Sequence, residues 1–96
     1  MKLMTKEIRD RLPQLRATEH QSDPVAQVKF FTPWSNWTWY GIEFDGEDIF
    51  FGLVEGFETE LGYFSLSEIE SARGPCGLRI ERDLHFDPTP VSQLKK

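Results

Sequence analysis

Cysteine is nearly absent from this chain. Cys76 stands alone, so no internal disulfide can form and a small disulfide-stapled secreted scaffold is excluded. Long apolar runs are absent as well. Nowhere do 18 apolar residues follow one another, and the opening MKLMTKEIRD holds no apolar stretch of the kind a signal peptide uses. The expectation is a cytoplasmic protein that makes no contact with membranes. Basic residues are missing from one whole region: residues 43–70 carry nine carboxylates and not one Lys or Arg. Such a block repels nucleic-acid phosphate, so direct DNA or RNA binding is not expected. Residues 1–16 are the reverse, with Lys2, Lys6, Arg9, Arg11 and Arg16 against Glu7 and Asp10.

Metal-binding patterns are missing too. His20 and His85 are the only histidines, 65 positions apart, and neither Cys-x-x-Cys nor His-Glu-x-x-His spacing occurs. The EFDGED stretch lacks the twelve-residue ligand pattern of a calcium loop. Cys76, in the turn GPCG, has only Arg73 and Arg79 nearby in sequence to activate a thiol. No metal, no cofactor and no catalytic residue is therefore expected.

What the chain has in abundance is aromatic surface. Eight Phe, three Trp and two Tyr make 14% of its 96 residues, and each ring removes about 150–250 Å² from water when buried. A chain of this length makes one domain, residues 1–96.

The order of elements follows from periodicity and punctuation. In TKEIRDRLPQL, Thr5 is an N-cap and Ile8, Leu12 and Leu15 share one helical face until Pro13 stops the helix near Arg11 or Leu12. Strands are predicted at 25–32, 37–44, 48–57 and 61–66, the second and third pairing antiparallel around Asp45-Gly46. A capping box of Ser67 with Glu70, and Gly74 as C-cap, predict a short helix at 68–73. A last strand at 77–86 precedes a tail with one helical turn. The fold class is α+β: a mostly antiparallel sheet of about five strands with short N-terminal and central helices.

Three candidate surfaces emerge. The first is aromatic. Trp34 lies in the turn TPWSN, exposed to solvent, and strand alternation puts Trp37, Trp39, Gly41 and Glu43 on one face and Thr38, Tyr40, Ile42 and Phe44 on the other. Both faces are apolar, so the sheet is either covered on both sides or leaves one face for a partner. Trp37, Trp39 and Tyr40 could also stack on a planar ligand. The second is acidic: Glu43, Asp45, Glu47 and Asp48 could meet a basic partner or mimic phosphates. The third is polar: Arg79, Glu81, Asp83 and His85 share one face of the last strand, and Arg82 interrupts the apolar side. Cross-strand ion pairing accounts for that row more simply than chemistry does.

The segments LMTKEIRDRLPQL, VKFFTP, NWTWY, FFGLV, ELGYFSL and IERD, in this order along the whole chain, resemble a family of short bacterial proteins catalogued as domain of unknown function 2958. That resemblance implies an accessory role on plasmids, phages and integrated mobile elements and carries over no activity or catalytic residue. At Cys76 an aliphatic residue would be expected in the family. The expected function is a non-enzymatic protein-interaction module for an unidentified protein partner, acting on host defence or transfer machinery. The alternative is a domain that binds or sequesters a small ligand or nucleotide on its aromatic platform. The residues expected at the site are Trp34, Trp37, Trp39, Tyr40, Glu43, Asp45, Glu47, Asp48, Arg79 and Arg82. Oligomeric state is not fixed by the sequence.

Overall fold

The computed structural model describes residues 2–95. Its centre is an antiparallel sheet of five strands in the order β5-β4-β3-β2-β6, formed by β2 (Val28–Phe31), β3 (Thr38–Phe44), β4 (Ile49–Glu55), β5 (Thr59–Ser65) and β6 (Glu81–Arg82). A separate two-stranded ribbon joins β1 (Val25–Ala26) to β7 (Thr89–Pro90). Helices α1 (Lys6–Arg11), α2 (Leu66–Ser71) and α3 (Val91–Leu94) and a 3₁₀ turn at Pro75–Gly77 are the other regular elements of the described residues. The expected α+β class is what the structure shows, and β3 and β4 pair antiparallel across the Asp45-Gly46 turn as predicted.

Local chemistry sets each boundary. Thr5 Oγ1 accepts from the Ile8 amide to start α1. Ser65 Oγ accepts from the Glu68 amide at 3.1 Å, the N-cap bond of α2, and its hydroxyl donates to Glu68 Oε1 at 3.0 Å. The cap is thus Ser65, two residues before the expected Ser67. Asp48 does the rest, accepting from the Ser67 amide at 2.8 Å and its hydroxyl at 3.1 Å. At its other end α2 stops at Ala72. Gly74 is no C-cap; it lies under the Trp34 ring, where an added Cβ would fall 2.3 Å from the indole.

Two predicted strands are shorter than their sequence patterns. The run 25–32 breaks at Gln27, because Val25–Ala26 pair with β7 while β2 pairs with β3 and β6. The run 77–86 keeps only Glu81–Arg82 as strand, paired with Phe31 and Phe30; beyond them Asp83 turns the chain, its carboxylate accepting from the His85 amide and its carbonyl from the Phe86 amide. Face alternation in β3 is also corrected. Gly41 pairs with Gly52 but Glu43 pairs with Phe51, so a bulge absorbs one extra residue. Phe44 consequently joins Trp39 and Gly41 on one face, and Glu43 leaves it.

The helix-bearing face packs Val28, Phe30, Phe44 and Phe50 against Leu3, Met4, Ile8, Leu66 and Ile69. Ring centroids of Phe44 and Phe50 are 4.4 Å apart and those of Phe50 and Phe64 5.0 Å. The opposite face packs Tyr40, Ile42 and Leu53 under Ala26, Val91, Phe86 and Leu94 from β1 and the C-terminal segment. Both faces are covered, which is why neither strand shows a polar side. Coverage is incomplete on the helix side, however. A six-residue helix spans about 9 Å at 1.5 Å per residue, whereas a seven-residue strand runs about 23 Å. One end of the sheet therefore lies beyond the reach of the helices, and it holds Trp37, Val54, Gly56 and Gly62.

Candidate functional site

That uncovered end is a trough. Trp37 stacks on Trp39 with ring centroids 5.9 Å apart and 27° between planes, and Phe57 meets Trp37 edge-on at 5.5 Å. Gly56 lies directly beneath the Trp37 ring, where a Cβ would fall 2.4 Å from it, so the close approach requires glycine. Phe57, at the tip of the β4–β5 turn, is 95% exposed.

Two clefts meet at Trp37. One, of about 520 Å³, is lined by Val54, Phe57, Gly62 and the acidic pair Glu58 and Glu60, and at the sheet edge it reaches Leu61 and Tyr63. The other, of about 500 Å³, lies between the sheet and α2 and is lined by Trp34, Trp39, Phe64, Ile69 and Ile80, with Glu68 at its rim. Among the described residues no Lys, Arg or His lines either cleft. The floor is aromatic and the rim is acidic.

The expected site residues separate into groups. Trp37 and Trp39 are side by side in the trough. Trp34 is not the exposed turn residue expected; it is half-buried over Gly74, packs on the helix-side core and forms a wall of the second cleft. Tyr40 faces the other side of the sheet, among Ile42, Leu53 and Phe86, so it cannot stack on a ligand together with Trp37 and Trp39. Burial and the hydrogen-bonded Glu55 carboxylate push its hydroxyl up to about 12.

The acidic cluster 43–48 is mostly taken up by the fold. Glu43 is only 3% exposed. Its carboxylate accepts from the Arg16 amide at 2.7 Å, the Thr18 amide at 2.9 Å and the Thr18 hydroxyl. Burial opposes its ionisation, but these three donors outweigh burial and hold the carboxyl below its ordinary value. Asp45 Oδ1 accepts from the amides of Glu47, Asp48 and Ile49 within its own turn. Donation by the Asp48 and Glu47 amides lowers its pKa. Asp48 caps α2. Only Glu47 is both exposed and without such a task among the described contacts. The expected surface of four carboxylates at 43–48 is therefore corrected: three of them are internal hydrogen-bond acceptors.

Of the polar row near the chain's other end, Glu81, Asp83 and His85 line one cleft of about 350 Å³ together with Lys29 and Arg82, and Arg79 lies outside it. Asp83 faces Lys29 at 3.5 Å and accepts from the His85 amide at 2.9 Å. Arg82 Nη1 donates to the Lys2 carbonyl at 2.6 Å, tying down the N-terminal segment. Arg79 is exposed and bridges backbone-to-backbone with Arg73. Among the described residues no group of three or more His, Cys, Asp or Glu could hold a metal ion, and no helix is long and apolar enough to cross a membrane.

Residues that sequence reasoning passed over are Val54, Gly56, Phe57, Glu58, Glu60 and Gly62. The signal was present as a strand pair ending in EGFETELG, but only the register that sets Trp39 opposite Val54 and Val54 opposite Glu60 brings it to the tryptophans.

The model of the family described as protein of unknown function (DUF2958) matches residues 3–95. The chain belongs to this family. No curated protein and no solved structure matches it. The DUF2958 match spans every element of the sheet and both helices that flank it, so trough and fold fall within one family unit.

Proposed function

We propose that this DUF2958 chain is a non-enzymatic interaction module that takes a basic, apolar segment of a partner protein on the Trp37 trough. The single observation behind the reading is the pairing of a half-buried aromatic floor, flanked by the exposed Phe57, with a rim of Glu58, Glu60 and Glu68 and, among the described residues, no basic lining residue. Trp and Phe offer large rigid contact area even when half-buried, and Trp is the residue most enriched at interface hot spots. The rim adds attraction for Lys and Arg and speeds encounter. A nucleotide, the alternative ligand, would set its phosphates against Glu58 and Glu60 with no cation to receive them. An accessory role on mobile elements, implied by the resemblance of the sequence motifs, suits a small acidic module that engages a host or transfer protein.

The test is affinity capture with four forms of the chain: wild type, Trp37→Ala, Glu58→Gln/Glu60→Gln, and Glu47→Gln. The proposed module captures the same protein with wild type and Glu47→Gln. Trp37→Ala loses about 2 kcal/mol of binding, roughly 30-fold, and the rim variant weakens chiefly at low salt. Capture that is identical across all four forms, or lost only with Glu47→Gln, refutes the reading.

A further inference from the structure

The trough ends at β5, and β5 is an edge. It pairs with β4 along its whole length, Thr59 to Ser65, without a bulge, and among the described residues no further strand of the sheet lies beyond it. Edge strands are ordinarily guarded by lysine, proline, a bulge or a covering segment. TELGYFS has none of the first three; its one charged guard is the exposed Glu60, which repels acidic segments and attracts basic ones, and Leu61 and Tyr63 are 45% and 65% exposed. The direction of its free backbone groups can be deduced. In an antiparallel pair, every second residue exchanges hydrogen bonds with the neighbouring strand. The Leu66 amide donates to the Asp48 carbonyl and the Gly56 amide to the Glu58 carbonyl. Both fall on the even-numbered residues of the β5 side. Glu60, Gly62 and Phe64 thus face β4, and the N–H and C=O groups of Thr59, Leu61 and Tyr63 point outward, away from the sheet.

The two faces flanking this edge differ in chemistry. On the trough face stand Glu60 and, across Val54, the tryptophans. On the opposite face Leu61 and Tyr63 stand beside Phe51, whose ring centroid is 5.2 Å from that of Tyr63, and Arg16 lies within electrostatic reach of Tyr63. Positive charge on an added strand is therefore favoured on the trough face and apolar side chains on the other. We propose that β5 accepts an extended segment of a partner protein as an antiparallel sixth strand. Its alternating Lys or Arg side chains cross the trough toward Glu58 and Glu60, and its intervening apolar side chains pack on Leu61 and Tyr63. Such strand addition draws affinity from main-chain hydrogen bonds and specificity from alternate side chains. Basic stems lie well on aromatic floors, through apolar contact and cation–π attraction.

This inference rests on the trough being the interaction surface, and the experiment separates the two. The probe is a capped nine-residue peptide of alternating lysine and valine, with a glutamate–valine peptide as control, titrated by tryptophan fluorescence. Leu61→Pro removes one outward N–H and no bond to β4, a position where an edge strand tolerates proline; Leu61→Ala removes the side chain only. The expected result is saturable binding of the lysine peptide alone. It weakens at least tenfold in Leu61→Pro and no more than threefold in Leu61→Ala. In antiparallel pairing the valine amides face the edge, so N-methylating them abolishes binding while N-methylating the lysine amides does not; this comparison leaves the protein unaltered. Equal binding by Leu61→Pro and Leu61→Ala, with loss in Trp37→Ala, overturns strand addition and leaves the trough reading standing. Loss in Leu61→Pro with full binding by Trp37→Ala does the opposite to the trough. No saturable binding of the lysine peptide overturns strand addition, as does a free chain that sediments as a dimer and becomes a monomer on Leu61→Pro.

Discussion

Replacing Glu43 by glutamine tests whether the central carboxylate of the acidic region belongs to the fold. The side chain is buried, and its two oxygens receive the Arg16 amide, the Thr18 amide and the Thr18 hydroxyl. Glutamine has one acceptor oxygen and puts an NH₂ where the second oxygen was, facing donors. A hydrogen bond to a charged acceptor contributes about 1.5–3 kcal/mol, and a buried donor left without a partner costs about 1–3 kcal/mol. Arg16 sits in the left-handed region at φ 73°, and letting it relax returns roughly 1 kcal/mol. The net expected loss is about 2–3 kcal/mol, which for a domain of this size lowers Tm by roughly 8–24 °C. The pH dependence has a definite sign. A carboxyl held below its ordinary 4.5 in the folded state contributes stability at pH above 4.5 that is lost as pH falls through the folded value. Urea unfolding followed by tryptophan fluorescence between pH 3 and 7 reads both effects. Glu43→Gln should be less stable at neutral pH and show a flatter acid limb. A loss under about 0.5 kcal/mol, the usual range for surface substitutions, or an unchanged acid limb, would refute the buried-acceptor role.

Further expectations concern the trough and the elements that frame it. Gly56→Ala drives a methyl into the Trp37 ring and should cost about 1–3 kcal/mol while altering the near-ultraviolet circular dichroism of the tryptophans; an unchanged spectrum contradicts the packing. Ser65→Ala should destabilise by about 1 kcal/mol through loss of the α2 cap, more than Ser67→Ala, measured by thermal unfolding. Tyr40, raised to about 12 from an ordinary 10.0, contributes stability that is complete below pH 10 and lost as pH rises toward 12. Tyr40→Phe should therefore flatten the alkaline limb of the stability profile.

Elements with strong local chemistry could be read from the chain alone. Thr5 and Pro13 bracket α1, and Asp45-Gly46 marks the β3–β4 turn, because caps and turns depend on a few adjacent residues. The bulge at Gly41–Glu43 could not be read, since it is set by the partner strand's register; it alone reverses the assignments of Glu43 and Phe44. Periodicity also overextended the strand at 77–86, because alternation does not show that Asp83 turns the chain there, its carboxylate accepting from the His85 amide and its carbonyl from the Phe86 amide. The site shows the same division. The tryptophans were conspicuous as a cluster, but which of them is packed depends on glycines far away in sequence, Gly74 under Trp34 and Gly56 under Trp37. The carboxylates at 43–48 looked like surface charge because a sequence does not show which backbone amides will converge on them. Glu58 and Glu60 became rim residues only through pairing of β4 with β5.

The trough is tested most directly by two-dimensional ¹H–¹⁵N NMR of the labelled chain titrated with the lysine–valine peptide. The three tryptophans supply indole N–H probes, and the amides of residues 45–48 report on the acidic turn. If the trough is the interaction surface, the Trp37 indole and the amides of Gly56, Glu58, Glu60 and Gly62 shift saturably while residues 45–48 stay in place. Shifts confined to residues 45–48, with the Trp37 indole unmoved, would contradict it.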